Sequence, residues 1–150
     1  MVPVKGDPID GDALRAACRL ARPAKAAILV ITVLEVPRHL PLTINLDREL
    51  GAAEELLGEM EELALQLGTK IETTVLQARE AGPAVVDEAR RWGADLVVVG
   101  LGSPQRFGEF ALDRNGEELL KRVHCRLILI RQALEKEDPH TAVALSHAPD

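Results

Sequence analysis

Hydrophobic positions along the chain fall into short continuous runs separated by longer stretches with a helical period. The short runs are rich in β-branched residues, which is typical of parallel strands that are buried on both faces. Five runs are predicted as strands, namely 1–5, 25–36, 70–77, 95–100 and 125–131. The run at 25–36 is the strongest and is expected at the centre of the sheet. The alternation of apolar and polar residues in 70–77 indicates an edge strand.

The first two stretches between these runs carry apolar residues every three or four positions, which predicts amphipathic helices. The first helix is expected to begin at a cap formed by Asp10 or Asp12 and to end at Pro23. The second is a long helix closed by Gly68. Its apolar pattern lasts for under three heptads, which favours packing on a sheet over a coiled coil.

The last two helices complete an alternating order of strands and helices. The third is expected to open at Gly82-Pro83, with proline in its first position, and to stop at Gly93; the fourth spans about 113–123. This order predicts an α/β fold, a three-layer α/β/α sandwich around a five-stranded, parallel, doubly wound sheet. The domain covers residues 1–132, and the charged, aperiodic tail 133–150 is expected to be disordered.

Composition narrows the range of functions. The 150 residues carry a net charge of −6 and only 2% aromatic residues, which argues against nucleic acid as a partner. The two cysteines are interpreted as buried residues in a reducing compartment. The amino terminus does not have the pattern of a signal peptide, and no apolar run approaches the roughly 20 residues of a membrane span. A cytoplasmic protein that is not embedded in a membrane is expected.

The loop that follows the fourth strand is the main candidate for chemistry. Gly100-Leu101-Gly102-Ser103 lies where open α/β sheets bind ligands, often phosphates. Its spacing is not that of a nucleophile elbow, and the four histidines lack metal-ligand spacing, so neither catalytic residues nor a metal site are expected. Two of the three aromatic residues lie in the loop 106–110, which is interpreted as a packing plug over the sheet end or, alternatively, a partner contact.

Three segments carry a resemblance to a known family. Met1-Val2-Pro3-Val4 followed by Gly6, the run Leu96–Gly100, and Cys125 at the head of the last strand resemble the universal stress protein family. The resemblance covers about residues 1–132 and implies the sheet order 3-2-1-4-5, a fold like that of adenine-nucleotide-binding domains, and a dimer paired through the last strand. Segments 35–42 and 81–86 further resemble a subgroup related to permease-associated domains.

The resemblance also supplies a nucleotide-binding motif. Members that bind nucleotide carry Gly-x-x-Gly, nine residues, and then Gly-Ser or Gly-Thr. Placed without gaps from Gly100, the motif has Ser103 and Asp113 at its other two glycine positions and Arg114 at its hydroxyl position, so one of its four positions is intact. This placement keeps Cys125 at the family's cysteine position. Lys5 replaces the expected aspartate of the first strand. The candidate nucleotide-binding residues are therefore Pro3, Lys5, Gly100, Ser103, Asp113, Arg114 and Asn115.

These replacements indicate a degenerate ATP site. A side chain at Ser103 hinders close approach of phosphate, and the Asp113 carboxylate competes for the same amide groups while serving as a helix cap. Lys5 and Arg114 offer partial compensation as positive charges. The expected function is a non-catalytic, regulatory stress-response protein without a cofactor. The alternatives are a sensor of ATP with Mg, AMP or another small anion, and a weak nucleotide hydrolase.

The last strand and the family resemblance suggest the partners. The strand has apolar residues on both faces at an uncovered edge, which favours pairing with a second copy of the chain. The expected homodimer interface consists of Leu127, Ile128, Leu129 and Ile130. A regulated protein or a transporter is the further partner that the function would require.

Overall fold

Strands and helices alternate along the whole described chain, in a computed structural model that describes residues 1–102 and 111–133. The elements are β1 (Val2–Pro3), α1 (Asp10–Ala24), β2 (Leu29–Glu35), α2 (Asp47–Gln66), β3 (Glu72–Ala78), α3 (Ala81–Trp92), β4 (Leu96–Gly100), α4 (Arg114–Arg122) and β5 (Arg126–Ile130). The predicted α/β class is confirmed. The loop 106–110 and residues 134–150 of the tail lie outside the described residues, so the predictions made for them stay predictions.

The strands form two parallel ladders, β1-β2-β3 and β4-β5. Met1 links the two ladders, because its ammonium donates to the Leu96 carbonyl at 2.8 Å and its own carbonyl accepts from the Val98 N–H at 3.0 Å. β1 therefore lies beside β4, and the carboxyl ends of β1, β2 and β4 meet at one edge. The complete order 3-2-1-4-5 stays a prediction, since the structure has two ladders rather than one.

Two hydrophobic clusters cover the two faces of the strands. Leu14 of α1 and Leu57 of α2 pack with Val30 of β2 on one face. Val85 of α3 packs with Ile31 of β2 on the other face. Because neighbouring residues of one strand point to opposite faces, each buried strand supplies both clusters and reads as a continuous apolar run. This arrangement gives three layers with the strands in the middle.

Two predicted helix boundaries are wrong in detail. α1 continues through Pro23 to its last residue, Ala24, and Lys25 caps it with a φ of +48°. A proline this close to the end of a helix removes only one hydrogen bond, so the last turn survives. α3 begins at Ala81, which places Pro83 third rather than first. Its missing N–H is harmless there, because the first N–H groups of a helix have no partner within the helix.

The predicted cap of α1 is also wrong, whereas other helix ends are confirmed. Ile9, rather than Asp10 or Asp12, occupies the capping position of α1 and makes no side-chain capping bond. Gly68 and Gly93 follow α2 and α3 with φ values of +70° and +75°, the left-handed conformation expected after a helix. Among the described residues, none of the helices combines the length and the apolar character that crossing a membrane demands.

Candidate functional site

A cleft of about 610 Å³ lies at the carboxyl ends of β1, β2 and β4. Apolar side chains of the strands and of α3 form part of its lining, among them Ile31, Val33, Val85 and Val99. Polar side chains come from the loop between β1 and α1 and from the start of α4. The volume lies in the range typical of small-molecule sites.

The structure brings together five of the seven candidate residues. Pro3, Lys5, Gly100, Asp113 and Asn115 line the cleft. Arg114 does not line it: its side chain is 80% exposed, with Nη2 3.4 Å from Glu80 Oε1. Glu80 also pairs with Arg38 at 3.1 Å. Ser103 lies outside the described residues.

Lys5 is the ammonium group of the cleft, and two carboxylates share it. Its Nζ lies 3.3 Å from Asp7 Oδ2 and 3.2 Å from Asp113 Oδ2. Burial lowers the pKa of Lys5, but the contacts with Asp113 and Asp7 outweigh it, so this pKa lies above its ordinary value. Burial likewise raises the pKa of Asp113, but the Gly116 N–H and Lys5 bring it below its ordinary value. Both Lys5 and Asp113 are therefore charged near neutral pH.

Asp10 is the functional candidate that sequence reasoning missed. The residue is 2% exposed, and its Oδ2 accepts hydrogen bonds from the backbone N–H groups of Lys5, Gly6 and Asp7 at 2.9, 2.8 and 3.0 Å. Burial raises the pKa of Asp10 by more than these three donors lower it, so this pKa lies above its ordinary value. Consecutive N–H groups that converge in this way form a nest, the arrangement that binds external anions. Here the anion in the nest is the protein's own.

The start of α3 has no N–H group left for a ligand in its first turn. The Ala81 N–H donates to Glu35 Oε1 at 2.7 Å, and the Gly82 N–H donates to Asn115 Oδ1 at 3.0 Å. Pro83 has no N–H, and the Ala84 N–H is directed to the Glu80 carbonyl at 3.4 Å. Asn115 therefore ties α4 to α3.

The start of α4 is capped by Asp113, as the sequence predicts. Asp113 Oδ1 accepts from the Gly116 N–H at 2.7 Å, while its Oδ2 faces Lys5. The described lining of the cleft thus contains one ammonium group, that of Lys5, and four carboxyl groups. The carboxyl groups belong to Asp7, Asp10, Glu35 and Asp113. This part of the cleft is acidic.

Gly100 has a packing role that its motif position does not reveal. Its φ is not positive, so the backbone conformation does not require glycine. A Cβ at this position would lie 2.5 Å from Ile9 Cγ2 and 3.2 Å from the Ile9 carbonyl oxygen. Ile9 is almost fully buried at the start of α1. Glycine at position 100 therefore lets α1 approach the end of β4.

Gly100→Ala is expected to lower the free energy of unfolding by about 1–3 kcal/mol, as other overpacked sites do. Ile9→Ala removes the methyl group that a Cβ at position 100 would meet. The double variant should therefore lose less stability than the sum of the losses in Gly100→Ala and Ile9→Ala. Gly58→Ala is the control, because nothing lies within 4 Å of its Cβ in α2, and it should stabilise by about 1 kcal/mol. Urea denaturation of the parent, the three single variants and the double variant measures these effects. A Gly100→Ala variant as stable as the parent would contradict the packing role.

The described residues offer few other side chains that could bind a metal ion or act as nucleophiles. Within residues 1–102 and 111–133, no three His, Cys, Asp or Glu side chains lie where they could hold a metal ion. Cys18 is buried and Cys125 half-buried, and neither is in a disulfide. Burial raises the pKa of the Cys18 thiol, which disfavours a reactive thiolate. The arrangement is suited to binding a small molecule at the carboxyl edge of the strands.

Comparisons with known proteins give a consistent result. The chain matches the model of the universal stress protein family over residues 1–131. It is 24% identical over 138 residues to universal stress protein MJ0531 of Methanocaldococcus jannaschii. The matched region covers 88% of this chain and 81% of that protein. The universal stress protein of Archaeoglobus fulgidus has a similar structure, with a TM-score of 0.72 and 20% identity over 85% of this chain and 94% of that chain. Its complex with dAMP gives a TM-score of 0.68 and 20% identity over 85% and 93%. This chain belongs to the universal stress protein family.

Proposed function

We propose that this chain is a non-catalytic, regulatory stress-response protein in which the ATP site has degenerated. The observation that carries the proposal is the position of Asp113. It stands where the motif has glycine, and its two carboxylate oxygens contact the Gly116 N–H and Lys5 Nζ. Without Asp113 the Gly116 N–H would be available to a phosphate, and Lys5 would have one carboxylate partner, Asp7, instead of two.

The expected loss of affinity follows from these two contacts. A phosphate that enters must compete with Asp113 for the Gly116 N–H and for Lys5. Each charge-assisted hydrogen bond to phosphate is worth on the order of 1.5–3 kcal/mol. The absence of two such bonds would weaken a micromolar site by roughly a hundredfold or more. Arg114 does not compensate, because its guanidinium lies beside Glu80.

Titration calorimetry with Mg-ATP tests the proposal on the unmodified protein. No binding is expected in the low micromolar range, for the reason given above. A dissociation constant of a few micromolar would overturn the proposal and would make Lys5 and Arg114 the substitute phosphate ligands. In that event Lys5→Ala should abolish the binding.

A sensor of a small molecule is the second candidate, and the persistence of the cleft favours it. The universal stress protein of Archaeoglobus fulgidus has been solved in complex with dAMP, so a relative holds an adenine nucleotide. In this chain the cleft keeps a volume of about 610 Å³ and apolar walls. A ligand bound there would modulate the contact with the regulated protein or transporter that a regulatory role requires.

We also propose that the chain forms a homodimer through β5. The strand pairs with β4 on one side, and Leu127, Ile128, Leu129 and Ile130 are all half-buried. An edge strand with such side chains presents unpaired N–H and C=O groups to a second strand. Leu127 packs with one hydrophobic cluster, and Ile128 and Ile130 pack with the other, whereas Leu129 belongs to neither.

Leu129→Glu is therefore the substitution expected to separate the dimer with the least damage to the core. A charge buried at the junction of two strands is strongly unfavourable, so the variant should be a monomer at tens of micromolar. Light scattering reports the mass. Leu65→Glu is the matched control, because Leu65 is 63% exposed on α2 and its replacement should leave the dimer intact. A parent protein that is itself a monomer at this concentration would refute the interface.

A further inference from the structure

Three places around the cleft have the backbone geometry of an anion site. They are the loop between β1 and α1, the start of α3 and the start of α4, where N–H groups point away from the chain. In each place at least one of these N–H groups already donates to a side chain of the protein. The acceptors are Asp10, then Glu35 with Asn115, then Asp113.

The acceptors are not easily displaced by a phosphate. Asp10 is 2% exposed, so removal of its three donors would leave a buried carboxylate without partners. Glu35 and Asn115 hold the first two N–H groups of α3, and Asn115 also fits closely against Gly82. Lys5 is the one ammonium in the described lining, and Asp7 and Asp113 both contact it. A phosphate group would therefore meet carboxylates, while Lys5 and the N–H groups that these side chains accept from already have partners within the protein.

The same residues suit a ligand that is uncharged and donates hydrogen bonds. Ile31, Val33 and Val85 offer apolar surface to a flat heterocycle. Asp7 and Asp113 are carboxylates on the rim with lone pairs beyond those that their present partners use, and they accept from hydroxyl or amino groups. The cleft thus pairs apolar walls with hydrogen-bond acceptors.

We infer that the cleft selects an uncharged nucleoside over the corresponding nucleotides. The inference rests on the proposed function, because it assigns a ligand to a cleft that has lost its ATP site. The heterocycle lies on the apolar wall, and the sugar hydroxyls donate to the carboxylates of the rim. A phosphate on the same nucleoside adds negative charge beside the four carboxyl groups of the described lining. Two of them, those of Asp7 and Asp113, already contact the ammonium of Lys5.

Calorimetry with adenosine, AMP and ATP as probes, all in one buffer with Mg²⁺, tests the inference on the full chain. Adenosine should bind at a single saturable site, AMP at least tenfold more weakly, and ATP more weakly still. AMP that binds as tightly as adenosine, while ATP does not bind, would overturn the inference and leave the proposed function standing. So would a protein that binds none of the three. Low-micromolar ATP binding would overturn the proposed function itself.

Asp113→Asn assigns the selectivity to the cleft. Asparagine keeps an oxygen for the Gly116 N–H and caps helices as well as aspartate, but it removes one negative charge. The ratio of the AMP to the adenosine dissociation constant should fall at least threefold. Asp12→Asn removes the same charge from a side chain that is 52% exposed on α1 and pairs with Arg15, and it should leave the ratio unchanged. An equal fall in both variants would mean that overall charge, rather than the cleft, sets the preference, and the inference would be wrong.

Discussion

Asp10→Ala is expected to lower the free energy of unfolding by about 3–5 kcal/mol, the largest effect of any single substitution around the cleft. The Asp10 carboxylate is buried and accepts from three consecutive N–H groups, those of Lys5, Gly6 and Asp7. Alanine leaves these partly buried donors without an acceptor, and each unsatisfied donor costs about 1–3 kcal/mol. The turn at Gly6, where φ is +93°, then loses its three hydrogen bonds to the Asp10 side chain.

The control for this prediction lies on the same helix. Asp12→Ala removes an exposed carboxylate that pairs only with Arg15 three residues on, and it should cost less than about 1 kcal/mol. Asp10→Asn keeps one oxygen acceptor without the charge and should fall between the two. In a chain of this length, Asp10→Ala should lower the melting temperature by about 10 °C. Equal losses in Asp10→Ala and Asp12→Ala would show that the nest does not stabilise the fold.

Much of the fold was predictable because the strands are buried on both faces. Val30 and Ile31 pack in opposite clusters, and so do Val97 and Val98, which makes each strand a continuous apolar run in the sequence. The helix ends were less predictable. A proline such as Pro23 can be kept in a last turn when neighbouring contacts favour it, because only one hydrogen bond is lost.

The site was only partly predictable, because several of its contacts join distant segments. The cap formed by Asp113 is a local pattern, so the sequence alone indicates it. The contacts of Glu35 with Ala81 and of Asn115 with Gly82 join residues 46 and 33 positions apart, and no local pattern reports them. The sequence predicts a helix cap at Asp10 because an aspartate near a helix start usually is one. Its real role depends on the turn at Gly6, which brings the preceding N–H groups to it.

On the proposed function, two substitutions, Asp113→Gly and Ser103→Gly, should restore ATP binding. Asp113→Gly releases the Gly116 N–H and removes one of the two carboxylates that contact Lys5 Nζ, so it also removes a negative charge from the cleft. Glycine is a tolerable helix cap that costs only a few tenths of a kcal/mol, so α4 should stay folded. Ser103→Gly restores the second glycine of the motif, a step that rests on the placement of the motif in the sequence.

The double variant should bind Mg-ATP at least a hundredfold more tightly than the parent, because two charge-assisted hydrogen bonds become available to phosphate. Titration calorimetry measures the gain. Asp113→Asn with Ser103→Gly is the matched control, since asparagine keeps the oxygen that occupies the Gly116 N–H, and its gain should be smaller. Lys5→Ala in the double variant should remove much of the new affinity, because it deletes the ammonium group that would contact the phosphate. If the double variant binds ATP no better than the parent, the site has been lost elsewhere, and the side chains that occupy the start of α3 become the next positions to change.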